Sequence, residues 1–539
     1  MGPLRALRVV VVGYGPVGAR FADELLPSVR AGVVELTVVG AEGADAYNRV
    51  LVAEYAVGNS EWDDMVLHTA DDVRAAGGRV ETGTRVVLID RDTSCVVLES
   101  GERIPYDRLV LATGARANVP TLDGIERVVR DLRTLQRSGS RLIGADDELP
   151  QGVTVLRDLA DAARVREAAR AGGRVVVLGA GVLGLEFALL AARAGAQACV
   201  VHHGPVPMPR NLDTGGGTVL AASLRKAGVT VIAHSRAEAI VFRTDEDGER
   251  RFSALATADG KHIHGDLLVL SCGVGARSEL AATAGLRTAA GIVVTPELRS
   301  WTDPAVYAIG DCAHVVDPAG QDHGARLSGG PSGLIGPGWR QAEWLAGRFA
   351  TEAVGSEHEA EPPAERPSVV MLKGEDVDVV AVGDVSPEPW DAQPWDADPA
   401  DAPRAVAQWA DPEHGRYVKM ITREGILEGF VSVGMPKTSA ELTLLFERGG
   451  ELPADRSLLL RFDGPDYTPE SNASAFAPDA TVCWCNGVSV AQIQSAASDG
   501  NDTVACIGKA TRAGTGCGGC KGRIAELLER LADPDEVAV

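Results

Sequence analysis

At 539 residues and a formal charge of −23, the chain is long enough for three or four domains and too acidic to favour nucleic acid or an anionic membrane surface. No stretch reaches the roughly 18 uninterrupted apolar residues of a membrane helix, and glycines cut short the apolar N-terminal run Val9–Val12, which reads as a first strand and not as a signal peptide. Five of the nine cysteines, Cys95, Cys199, Cys272, Cys312 and Cys506, show no paired spacing. They read as buried structural thiols, which points to a reducing, cytoplasmic setting.

In chain order, Arg8 to Val12 is a continuous apolar run of the kind found in a buried parallel sheet. Gly13-Tyr14-Gly15-Pro16-Val17-Gly18 follows, then an amphipathic stretch from Val17 to Leu26, then a second apolar run at Leu36–Val39. Strand, glycine turn, helix and strand in that order form a dinucleotide-binding unit. Gly13 makes the tight turn, Gly15 lets the backbone approach a pyrophosphate at the helix N-terminus, and Gly18 lets helix pack on strand. Glu42 stands near the end of the second strand, two residues past the usual register for a ribose-binding acid.

The same pattern recurs at 174–201, with Gly179-Ala180-Gly181-Val182-Leu183-Gly184 between the strand Val175–Leu178 and a helix to Ala194. Two such units imply two dinucleotides. After the next strand, Ala198–Val201, stands His202-His203-Gly204, where an acid would repel a 2′-phosphate and an arginine would welcome it. No arginine appears before Arg210, so NADH is favoured over NADPH.

Residues 127–150 read as a polar inserted loop, and Glu361-Pro362-Pro363 marks a domain boundary. Strand-like runs at Asp376–Val382, Tyr417–Ile421 and Ile426–Val431 define a third region. Inside it the acidic near-repeat of Trp390-Asp391 and Trp395-Asp396 reads as a surface loop; the insertion at 386–404 has no assigned role. Near the C-terminus Cys483-Trp484-Cys485 and Cys517-Gly518-Gly519-Cys520 bring four thiols together in two tight pairs. Thiolate is the usual ligand of both zinc and iron–sulfur clusters; a C-x-C pair with a C-x2-C pair departs from the two C-x2-C pairs of a zinc ribbon.

With Asn486-Gly487-Val488, Thr515-Gly516 and Cys520-Lys521, this tail resembles the bacterioferritin-associated ferredoxin-like domain. The resemblance implies a [2Fe–2S] cluster on Cys483, Cys485, Cys517 and Cys520, in a small helical wrap. Tyr106–Gly114, ending Ala112-Thr113-Gly114, and Thr302–Asp311, ending Gly310-Asp311, resemble the two flavin motifs of two-dinucleotide flavoprotein reductases. That resemblance covers about 1–350. It implies FAD at the first glycine loop with Asp311 on its ribityl chain, and a nicotinamide dinucleotide at Gly179–Gly184 with Glu186 near the nicotinamide and flavin. Redox cysteine pairs of the disulfide reductases have no counterpart before residue 483, so the electrons need another exit.

Ala46-Tyr47-Asn48-Arg49-Val50-Leu51, Met208–Asp213 and Gly336–Ala342 resemble the flavin half of the NADH-dependent assimilatory nitrite reductase large subunit and, equally, the electron-transfer subunit of assimilatory nitrate reductase. Ala53 departs from a serine usual there. The resemblance implies that Asn48 and Arg49 bind cofactor, with Arg49 stabilising the reduced isoalloxazine. It implies a protein acceptor, best a molybdenum nitrate reductase catalytic subunit. Ending at Val539, the chain is expected to lack a sirohaem and to reduce no nitrite alone.

The expected fold class is α/β. It comprises an FAD domain (1–126 and 271–350), an NAD(P)H domain (151–270), a small α+β domain (367–440) able to mediate a homodimer, a linker (441–479) and a [2Fe–2S] domain (480–535). The expected activity is NADH oxidation through FAD and single electrons through the cluster to a protein acceptor. Alternatives are a reductase for a ferredoxin, rubredoxin or oxygenase, a nitrite reductase component with a separate sirohaem partner, or a redox-sensing binding module.

Overall fold

A computed structural model describes residues 5–125, 149–170, 172–245, 248–319, 327–364, 369–374, 377–391, 403–463, 476–483, 485–516 and 518–532. Residues 127–148 of the expected loop, the greater part of the 386–404 insertion and Cys517 therefore lie outside the described residues.

The first apolar run forms strand Leu7–Val12 at the centre of a five-stranded parallel sheet, in the order Val306–Ala308, Arg108–Leu111, Leu7–Val12, Val34–Val39 and Arg79–Glu81. Both faces are covered, so Val9, Val10 and Val11 are at most 1% exposed. This burial is why the strand is an unbroken apolar run, not an alternating one. A second parallel sheet repeats the plan around Arg174–Leu178, in the order Val153–Val155, Leu267–Leu270, Arg174–Leu178, Gln197–Val201 and Thr230–Ile232. The glycine-loop strand is central in both, at the point where strand order reverses and ligands bind. Each sheet carries an antiparallel three-stranded meander, at 86–105 and at 237–264, and Ala115–Ala117 pairs antiparallel with Val274–Ala276 where the chain passes between the domains. The two-dinucleotide architecture is the one the motifs imply.

The third domain is a five-stranded antiparallel sheet, in the order Val370–Gly374, Val377–Val382, Ile426–Val433, Arg416–Arg423 and Arg404–Asp411. Helix Pro436–Arg448 and a 3₁₀ helix, Arg456–Asp463, pack on it. The domain therefore runs past the expected boundary at 440 and into the expected linker. Leu442, Leu452 and Leu459, all at most 5% exposed, draw this stretch onto the sheet. Against the NAD(P)H domain, the fully buried Lys419 meets Asp213 at 3.3 Å and Glu388 at 3.1 Å, and Tyr417 donates its hydroxyl to Asp213 at 2.5 Å.

The fourth domain is a short hairpin, Thr481–Cys483 with Val488–Ser489, and helices Val490–Ser498, Val504–Thr511 and Lys521–Ala532. Its core of Val482, Val488, Ile493, Ile507, Ile524 and Leu527 takes in Leu444 from the third domain. Of the five cysteines expected to be buried, Cys312 is; Cys95, Cys199, Cys272 and Cys506 are only partly covered.

Candidate flavin, nicotinamide and cluster sites

Gly13 has φ +117°, and a Cβ there would lie 2.1 Å from the Ala112 carbonyl oxygen; one on Gly18 would lie 2.0 Å from the Gly13 carbonyl oxygen. Both positions exclude a side chain because backbone meets backbone. Gly15 differs: the Arg49 Nε, at 3.9 Å, is the nearest atom to a Cβ there. Gly15 opens helix Pro16–Arg30 with no side-chain cap, so no side chain satisfies the first-turn N–H groups that follow Pro16, and the space beside Gly15 is open. That is the chemistry of an anion cradle, and it fits the pyrophosphate of FAD.

Around this cradle, Glu42 accepts the Tyr47 hydroxyl at 2.8 Å and pairs with Arg49. Arg49 also donates to the Arg157 carbonyl at 3.3 Å and lies over the Tyr47 ring. Glu42 and Arg49 are thus neighbours beside Gly15. Asp311 pairs with Arg157 at 2.9 Å, and Arg157 in turn hangs from the Ala115 carbonyl. Thr113 donates to the Arg277 carbonyl at 2.6 Å, and the Gly114 carbonyl accepts from the Arg277 amide. Gly310, at φ +71°, donates its amide to Gln341, which ties the Asp311 turn to helix Ile335–Ala353.

Asn48 lies between the flavin domain and the cysteine loop. It is 1% exposed, and its amide donates to the carbonyls of Thr515 at 3.0 Å and Gly516 at 2.5 Å, while its Oδ1 accepts from the Val50 amide. Both of its amide donors are engaged by the cysteine loop. The same Val50 bond caps the turn, so Ala53, 2% exposed in the core, needs no hydroxyl.

At the second site the geometry repeats. A Cβ on Gly179, φ +116°, would lie 2.1 Å from the Ser271 carbonyl oxygen; one on Gly184 would lie 2.7 Å from that of Gly179; one on Gly181 would meet nothing within 4 Å. Gly181 opens helix Val182–Arg193, again without a side-chain cap, and Glu186 lies half-buried in its second turn. His202 at the next strand end is 5% exposed with neither ring nitrogen hydrogen-bonded. Burial lowers its pKa, and His203 and His234 lower it further. His203 is the exposed one of the pair.

Cys483, Cys485 and Cys520 line one cavity of about 170 Å³, together with Met371, Val380, Ala440 and Thr443 of the third domain. The Cys483 thiol is pushed down to about 6 by hydrogen bonding from Cys520, and by the Gly514 and Asn486 amides, against the effect of burial. Asn486 Nδ2 stands 3.7 Å from its sulfur. Donors gathered on sulfur favour thiolate, the form that ligates iron. Among the described residues, no three His, Cys, Asp or Glu side chains make a finished metal site, the fourth cysteine lying outside them. The donor set fits a cluster nonetheless. Among the described residues, too, no helix is long and apolar enough to cross a membrane.

Two cradles for dinucleotides and one thiolate nest define an NAD(P)H-dependent flavoprotein oxidoreductase that uses FAD and a [2Fe–2S] cluster. Residues 7–329 match the pyridine nucleotide-disulphide oxidoreductase family, and residues 481–530 match the BFD-like [2Fe-2S] binding domain. The chain belongs to that oxidoreductase family. It is 26% identical to a nitrite reductase [NAD(P)H] of Bacillus subtilis (strain 168), over 98% of this chain and 58% of that protein. It is 25% identical to the assimilatory nitrate reductase electron transfer subunit of the same organism, over 99% of this chain and 61% of that protein. The chain thus spans about three-fifths of the length of these relatives. Among solved structures, the covalent putidaredoxin reductase–putidaredoxin complex superposes with a TM-score of 0.65 at 22% identity, over 87% of this chain and 98% of that one.

Proposed function

We propose that the chain passes electrons from NADH to a protein acceptor, best a molybdenum nitrate reductase catalytic subunit. The observation that carries the electron path is the placement of the cysteine nest: Cys485 lies against the flavin domain, and among the described residues no cysteine pair stands at either glycine cradle to take the electrons instead. FAD accepts a hydride and releases electrons singly, and a [2Fe–2S] cluster carries one at a time. Gly15 and the first turn of its helix hold the FAD pyrophosphate, with Arg49 and Glu42 on its adenosine side. The nearness of Arg49 to Gly15 supports reading it as a phosphate-side residue. Asp311, steered by Arg157, takes the ribityl chain. Gly181 holds the NADH pyrophosphate, Glu186 borders the nicotinamide, and His203 borders the adenosine ribose. One NADH oxidised to NAD⁺ and a proton balances two one-electron reductions of the acceptor.

The likeness to nitrate and nitrite reductase proteins over almost the whole of this chain supports the acceptor. Anaerobic titration with NADH, followed by optical absorption and low-temperature EPR, tests the path. Flavin bleaching should bring a reduced [2Fe–2S] signal, and Cys483→Ser should abolish the signal while the flavin still bleaches. A flavin that bleaches with no cluster signal in the unaltered protein, even after dithionite, would refute the path. A screen of purified nitrate reductase catalytic subunit, ferredoxin and rubredoxin as acceptors then decides the partner, and turnover with ferredoxin but not with nitrate reductase would replace it.

A further inference from the structure

The cysteine loop and the flavin domain meet through a built contact. Asn48, beside Arg49, grips the carbonyls of Thr515 and Gly516. Trp339, 3% exposed, donates its indole N–H to the carbonyl of Pro16 at 3.1 Å, the first residue after Gly15. The other edge of the same indole reaches the cysteine loop: a Cβ on Gly516 would lie 3.3 Å from Trp339 Cζ3 and 2.9 Å from Cys485 Sγ. Gly336, one turn before Trp339, comes as near, since a Cβ there would lie 3.4 Å from the Cys485 carbonyl oxygen. At the rim, Arg512 donates to Glu24 at 2.7 Å and Asp23 at 2.8 Å, both on helix Pro16–Arg30. Arg512 holds φ +64° while ending helix Val504–Thr511. A non-glycine residue is strained there and keeps the conformation only where its surroundings demand it.

We infer that this contact is an internal docking surface whose occupant is the cluster domain of the same chain, as described at 480–483, 485–516 and 518–532, and that Asn48, Trp339 and Arg512 are positioning residues for flavin-to-cluster electron transfer. The inference rests on the electron path proposed above. A single indole bonds to the helix that would hold the FAD pyrophosphate at one edge and lies close to Gly516, which itself lies against Cys485, at the other. Buried amide bonds set the register of that contact, and the Arg512 pairs close its edge.

The test uses the holoprotein and its Arg512→Glu variant, which turns two attractions on helix Pro16–Arg30 into repulsions. In hydrogen exchange, the amides of 48–52 and 512–516 should exchange about tenfold faster in the variant, the effect of weakening two charge-assisted hydrogen bonds. In stopped flow, NADH should bleach the flavin at the unaltered rate while the cluster signal appears about tenfold later. Pairing Asp23→Arg with Arg512→Asp should recover much of both losses, which a general structural defect would not allow. Trp339→Leu should slow cluster reduction alone. Unchanged exchange and unchanged cluster reduction in Arg512→Glu would overturn the inference. Should the unaltered protein show no cluster signal after NADH, the electron path fails, and the exchange arm still decides whether the docking surface exists.

Discussion

Gly181 and Gly179 stand two residues apart in one loop and should respond oppositely to the same methyl group. Gly181 has φ −81° and ψ 174°, a conformation any residue adopts, and a Cβ there meets nothing within 4 Å. Gly181→Ala should therefore leave the fold intact or stabilise it by about 0.4–1 kcal/mol through the unfolded chain. Its methyl instead occupies the space into which a pyrophosphate must come. Losing one charge-assisted hydrogen bond costs about 1.5–3 kcal/mol, so the Kd for NADH should rise at least about tenfold. Gly179→Ala forces φ +116° on a side chain whose Cβ would lie 2.1 Å from the Ser271 carbonyl. It should destabilise by about 3 kcal/mol or more. Thermal unfolding and anaerobic NADH titration of the two variants separate these effects. A Gly181→Ala protein that unfolds as early as Gly179→Ala, or that binds NADH as the unaltered protein does, would refute the reasoning.

Asp213→Asn keeps the helix cap to Gly216 but leaves Lys419 buried with only the half-exposed Glu388 as a charge partner. Urea unfolding should show a loss of about 3 kcal/mol, largely recovered in the double variant with Lys419→Met. Asp161, which holds the Arg157 loop by its amide, has a carboxyl raised to about 6, by burial first and by Asp158 second. The folded state then binds more protons than the unfolded state between pH 4 and 6, so stability falls as pH rises through that window. Asp161→Asn should gain on the unaltered protein as the pH of melting experiments is taken from 4 to 7, and a gap that does not change with pH would count against it.

Much of the fold was legible because it is local. An apolar run, a glycine loop and an amphipathic helix follow one another at 7–30 and again at 174–193, and Gly18 and Gly184 are required by the backbone of Gly13 and Gly179 in the same loops. The end of the third domain was not legible: helix Pro436–Arg448 and the turn after it are polar enough to read as linker, and only packing on the sheet through Leu442 and Leu459 makes them structure.

Asn48 shows the limit most clearly. Its neighbours in sequence place it in a flavin motif, yet its amide is spent on carbonyls more than 460 residues away. Trp339 stands in the Gly336–Ala342 motif, yet nothing in that motif tells which loop its indole meets. Chemistry that resides in a short span, such as a cysteine pair or a phosphate turn, is written in that span's residues and was readable from them. Which domain the cysteine loop rests against, and which side chains hold it there, depends on surfaces brought together from opposite ends of the chain. Only the folded structure decides those, because no periodicity or spacing records the partner of a side chain that far away.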